Sequence, residues 1–172
     1  LLNKKLTCIL ILMAVFLNII SITVLATEEP IIKDGVVYGN YVVTDENIKE
    51  AREIKRIKGY LGFRAKKVNM LNLEEIEGGL ILVSGAKKLK KLGLPKLKKL
   101  GYLVVKCRDG FLNLEEIYLP NLERIEKKID IQYNPDKFKK IKLPNLKYVG
   151  GSINIANNQK LKYIDLDLKY VG

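Results

Sequence analysis

One phrase recurs along this chain. It reads Leu94-Pro95-Lys96-Leu97-Lys98-Lys99-Leu100-Gly101, then Leu119-Pro120-Asn121-Leu122-Glu123-Arg124-Ile125, then Leu143-Pro144-Asn145-Leu146-Lys147-Tyr148-Val149-Gly150. A weaker copy, Leu168-Lys169-Tyr170-Val171-Gly172, ends the sequence. The second leucine of each copy stands at 97, 122, 146 and 168, so the steps are 25, 24 and 22 residues. A period in this range marks a solenoid, in which each coil leaves an apolar face that only the next coil can cover. Such folds work mostly by presenting a surface.

Each coil is predicted to hold two L-x-x-L corners and one strand. From Leu89 the apolar positions are Leu92, Leu94, Leu97 and Leu100, followed by the strand Leu103-Val104-Val105. The next coils give Leu114, Ile117, Leu119, Leu122 and Ile125 before Ile129-Asp130-Ile131, and Phe138, Ile141, Leu143, Leu146 and Val149 before Ile153-Asn154-Ile155. Alternation inside the strands sends every second side chain outward. The pattern extends backwards, because Ile57 to Phe63 matches Ile76 to Leu82 at a distance of 19 residues, a short coil. Gly78-Gly79 and Gly150-Gly151 recur before strands, where a tight bend is expected.

At the N-terminal end of the array, Val36 to Val43 reads as a strand or a hairpin turning at Gly39-Asn40. Ile48, Ala51, Ile54 and Ile57 follow at three-residue steps, and Asn47 with Glu50 forms a capping pair. These features predict a capping helix over 47–56. The sequence stops at Gly172, where another strand is due, which predicts a truncated array.

Residues 1–26 read as a secretory signal peptide. Lys4 and Lys5 precede an apolar run from Leu6 to Ala26, and polar Thr27-Glu28-Glu29 follows. The domain plan is therefore a signal peptide over 1–26, a linker over 27–35 and the solenoid over 36–172. Uncleaved, the leader would be a membrane anchor, and no other membrane contact is predicted. Loss of Lys4 and Lys5 with the leader lowers the net charge from +12 to +10. It also leaves Cys107 as the single cysteine, read as a small buried hydrophobe. Export without an internal disulfide points to a bacterial surface.

Several functions are disfavoured. The chain contains no histidine, so the commonest general base and metal ligand is missing. No cofactor motif or metal-ligand spacing is found. Ser84 and Ser152 have no evident base, and Glu74-Glu75 and Glu115-Glu116 sit between inward leucines at solvated corners. The chain is accordingly read as a non-enzyme. The lysine-rich blocks at 87–99 and 137–147 read first as solvated faces, with contact to an anionic cell-wall polymer as the functional alternative. Nucleic acid is disfavoured, because no stacking aromatics or nucleic-acid motif accompany the charge.

A strand following a capping helix at Ile57-Lys58-Gly59-Tyr60-Leu61, a second Gly-Tyr-Leu at Gly101-Tyr102-Leu103 and the L-P-x-L-x-x-I corners resemble the receptor L-domain group of leucine-rich repeats. Similar modules occur in secreted bacterial leucine-rich-repeat surface proteins. The resemblance covers residues 36–172 and implies a β-dominated, right-handed β-helix-like solenoid with an N-terminal helix. The chain lacks the flanking cysteines of animal members, so a hormone-receptor role is not carried over. The expected function is recognition or adhesion at the cell surface, toward a protein or glycan ligand. The alternative is a passive spacer for a further C-terminal domain. Outward ladder residues are the candidate ligand contacts: Arg64, Ile81 or Val83, Val104 or Lys106, Asp130 with Gln132, and Asn154. Asn134, Asn157 and Asn158 are expected to bond backbone in turns.

Overall fold

Inward leucines at a fixed step need neighbouring coils to stack in parallel, and the computed structural model shows this arrangement. It describes residues 30–83, 88–106, 113–134 and 137–172. Residues 1–26, read from the sequence as a signal peptide, and Ser84, Lys87 and Cys107 lie outside the described residues. The chain is a strand-dominated β-solenoid of about five turns with almost no helix.

The strands are β1 (Ile31–Lys33), β2 (Val36–Tyr38), β3 (Tyr41–Val43), β4 (Arg56–Ile57), β5 (Leu61–Phe63), β6 (Glu75–Leu82), β7 (Lys91–Gly93) and β8 (Lys99–Lys106). They continue as β9 (Glu116–Tyr118), β10 (Arg124–Ile125), β11 (Ile129–Gln132), β12 (Lys140–Leu143), β13 (Tyr148–Val149), β14 (Ile153–Ala156), β15 (Tyr163–Leu166) and β16 (Tyr170–Val171). They build three faces. Face one stacks β2, β4, the start of β6, the start of β8, β10, β13 and β16. Face two stacks β3, β5, the end of β6, the end of β8, β11 and β14. Face three holds β7, β9, β12 and β15.

Register pairs give the coil lengths directly. Val37, Ile57, Ile76, Leu100, Ile125, Val149 and Val171 form one inward column, with steps of 20, 19, 24, 25, 24 and 22 residues. The short coil read from Ile57 and Ile76 is therefore present, and the coil before it is nearly as short. Neither short coil has a strand on face three. From Val37 to Val149 this column is buried. Parallel columns such as Leu92, Ile117 and Ile141 complete one continuous apolar core.

Local structure departs from expectation at three places. The L-x-x-L corners themselves carry short strands, β9 and β10 for example, so a full-length coil has three strand segments rather than one. Over two or three residues, the spacing of a corner and the alternation of a strand look alike. The hairpin turns at Asp34-Gly35, with φ of 52° and 76°, and pairs β1 with β2. Gly39-Asn40 is a corner leading into β3, whose strands run parallel to β5. Residues 31–35, expected as linker, thus belong to the fold. Asp-Gly supplies the two positive φ values that a two-residue hairpin turn needs.

The third departure is the capping helix over 47–56, which is absent. In its place a turn leads into one 3-10 helix, Glu50–Glu53. Thr44 and Asn47 form a reciprocal box: Thr44 N–H donates to Asn47 Oδ1 (2.8 Å) and Asn47 N–H to Thr44 Oγ1 (3.4 Å). Two residues after Glu50–Glu53 ends, the chain is already joining face one, where Lys55 N–H donates to Gly35 O (2.8 Å). A short coil has no room for a longer helix. The apolar stripe is still used, since Ala51, Ile54 and Ile57 are buried.

Asparagines bridge the coils at the corners. Asn121 Nδ2 donates to Pro95 O (2.6 Å) and Asn145 Nδ2 to Pro120 O (2.7 Å), one coil back in each case. Lys96 takes the equivalent place in its coil and donates to Asn72 Oδ1 (2.9 Å). Asn134 is buried and donates to Val105 O, Gln132 O and Asn158 Oδ1, while Asn158 donates to Ile131 O. Asn157 holds a left-handed turn with φ of 55°. The expected backbone-bonding role is present for Asn134 and Asn158, and it works across coils as well as within turns.

Candidate functional site

Face two carries the outward ladder. Ile81, Val104, Asp130 and Asn154 stand in register in one row. Lys106, Gln132 and Ala156 form a second row, two residues further along each strand. Val104 and Lys106 are therefore both outward, in different rows. Arg64 is exposed just past β5, two strands from β8, and the structure does not bring it to this group.

The centre of the ladder is a charged clasp. Lys106 Nζ lies 2.6 Å from Asp130 Oδ2, and Lys128 Nζ lies 3.6 Å from the same oxygen. Gln132 Nε2 donates to Asp130 Oδ1. Under these partners Asp130 is only 7% exposed, so it anchors the surface rather than offering a free carboxylate. Burial pushes its carboxyl upward, yet the hydrogen bonds from Lys106 and Gln132 and the charges of Lys106 and Lys128 outweigh it. The carboxyl therefore titrates below its ordinary value of 3.8. A depressed carboxylate stabilises the fold above its unfolded value, and that contribution is lost as pH falls through the folded value. Asp130→Asn is expected to cost about 1–2 kcal/mol at neutral pH. Urea unfolding at pH 7 and pH 3 should show the gap to wild type narrowing in acid. An equal gap at both would refute the role of the charge.

Beside the clasp, a groove of about 740 Å³ is lined by Ile81, Tyr102, Val104, Glu126, Lys128 and Ser152, among others. Burial and a hydrogen bond with Tyr60 push the Tyr102 phenol up to about 12, so it is a neutral polar group at physiological pH. The two rings meet at 5.6 Å, tilted by 46°.

The acidic pairs tie coils together. Arg56 Nε is 3.0 Å from Glu75, and Glu116 is held by Lys142 Nζ at 2.9 Å and Lys91 Nζ at 3.8 Å. The Lys142 hydrogen bond leads the causes that hold the Glu116 carboxyl below its usual range, which is the wrong direction for a general acid. Among the described residues no cluster of His, Cys, Asp or Glu is grouped to hold a metal ion. Among them, too, no helix is long and apolar enough to cross a membrane.

Sequence reading did not foresee the clasp. Its signal was available: a lone acid between inward isoleucines, with Lys128 two residues before it and Lys106 about one coil earlier. A row of tyrosine and arginine on face one was also missed. Arg124 sits 3.5 Å over the Tyr148 ring, which stacks on Tyr170 at 4.9 Å. No family model, curated protein or solved structure matches this chain. Its register and columns define its class, a β-solenoid with in-register outward ladders.

Proposed function

We propose that the chain is an exported recognition or adhesion module of the receptor L-domain type, binding a protein or glycan ligand at the cell surface along face two. The in-register rows beside an open groove carry this reading. A parallel ladder fixes the spacing of outward side chains, so little ordering entropy remains to be lost on binding. The surface mixes half-exposed Ile81 and Val104 with Lys128, Ser152 and exposed Asn154. This blend of apolar patches and oriented polar groups suits a protein or glycan surface. The leader-like residues 1–26 support export.

The test uses protein-coated beads on whole cells, with Val104→Arg/Asn154→Arg beside wild type. Both side chains point outward, so the variant should keep the wild-type melting temperature. Retention at least tenfold lower is expected. A folded variant that adheres as well as wild type would remove face two as the binding surface.

A further inference from the structure

A second surface lies on another face. Sheet pairing on face three begins only at β7, because the two preceding coils are short and contribute no strand there. Between the edge of β7 and the segment 66–68 of the coil before it opens a cleft of about 750 Å³. Its walls are Lys66, Lys67, Lys88, Lys90 and Lys91, all exposed, with half-buried Val68 and Gly93 between them. A Cβ added to Gly93 would meet nothing nearer than Tyr118 O at 4.0 Å, so the cleft is open there.

The charges converge without matching acids. Lys88 has Asp45 at 4.0 Å and Lys91 has Glu116 at 3.8 Å, both long contacts. Glu116 is already held more closely by Lys142. Among the described residues no carboxylate pairs with Lys66, Lys67 or Lys90. Asp45 is turned toward the backbone, accepting from Lys66 N–H at 3.0 Å. Like charges gathered in a concave site focus the positive potential, which raises the local concentration of anions.

We infer that this cleft binds a flexible linear polyanion bearing phosphate or sulfate groups. Exposed lysines are point charges on mobile stems and build no fixed cage for one small anion. A chain of anions gains from several of them at once and releases counterions as it does so. Among the described residues no aromatic side chain lines the cleft. The exposed Tyr118 stands beyond it on β9, in register with Gly93, a single ring in that column rather than the row of rings on which successive nucleic-acid bases stack. This site goes beyond the face-two reading and does not need it to hold, because the two surfaces share no residue.

Fluorescence anisotropy with labelled inorganic polyphosphate measures the binding, with dextran sulfate and oligothymidylate as competitors. Five lysine contacts predict a log–log salt slope near −3.5, or roughly a hundredfold weaker binding between 50 and 200 mM salt. Lys66→Gln/Lys67→Gln/Lys90→Gln should weaken binding at least tenfold and flatten the slope by about 2. Lys33→Gln/Lys98→Gln/Lys99→Gln, with the same charge loss near face one, should change it less than threefold. Equal loss in both variants would reduce the effect to net charge and overturn the cleft. Unchanged binding by the first variant, with new self-association, would show that the lysines merely guard the β7 edge. Displacement by dextran sulfate supports the assignment and shows that sulfate serves as phosphate does, its failure to displace restricts the site to phosphate, and displacement by oligothymidylate alone overturns it. Val104→Arg/Asn154→Arg should bind polyphosphate as wild type does, so failure on one face is read separately from failure on the other.

Discussion

Gly101→Ala is expected to cost about 3 kcal/mol or more, which a single methyl group seldom does. The added Cβ would overlap the carbonyl oxygens of Gly78 and Glu77 in the coil below. Both obstacles are backbone, so no side chain can swing aside. Gly59, Gly78, Gly150 and Gly172 stand in similar contact, each Cβ position pressed against a carbonyl of the preceding coil. None of these has a positive φ; the demand is for closeness and not for a left-handed backbone. Gly93→Ala is the control, since its nearest obstacle lies 4.0 Å away, and it should fall within about 0.5 kcal/mol of wild type. Urea denaturation followed by circular dichroism compares the two. Matching midpoints would mean the coils can part without penalty and are not held in close backbone contact.

Phe138→Ala should be the most damaging core truncation, at about 3–5 kcal/mol. Phe138 is 1% exposed and is the largest of the fully buried side chains among the described residues. It occupies a column otherwise filled by leucine, with Leu89 and Leu114 before it and Leu161 after it. Removing the ring leaves a void between two coils that are held in register by β9, β12 and β15 and cannot close upon it. Phe138→Leu, which restores the residue type of the column, should recover more than half of the loss. Thermal unfolding monitors both variants. A Phe138→Ala protein within about 1 kcal/mol of wild type would show that the coil relaxes, and that the column is not shared packing.

Much of the scaffold was legible in the sequence, and its errors have a common cause. The step of three residues at Ile48, Ala51 and Ile54 reads as a helix, but a coil bending around a corner has the same step. Length decided between them: only the residues from Thr44 to Ile54 are available before Lys55 must bond Gly35 O, and a 3-10 turn fits there. Asp34-Gly35 was legible as a hairpin turn from its chemistry alone and was passed over for Gly39-Asn40. Gly78-Gly79 was read as a bend, whereas its reason is the carbonyl of Gly59 beneath Gly78 and the ring of Tyr102 beside Gly79. A glycine required by a neighbouring coil leaves no trace in its own flanking residues.

The candidate ladder shows the same division. Asp130, Gln132, Lys106 and Asn154 were recognisable as outward because they alternate with buried Ile129, Ile131 and Val105. That Asp130 would be covered, and by Lys106 and Lys128 together, was not. Inward positions repeat because every coil must fill the same cross-section, so sequence by itself determined the columns, the short coil and the stacking direction. Outward positions answer to whichever residue the coil above or below sets beside them. Coil length varies from 19 to 25 residues, so that neighbour is fixed only when all the coils are stacked. The clasp on face two and the lysine cleft on face three were therefore decided by tertiary structure, which alone converts distance along the chain into contact across it.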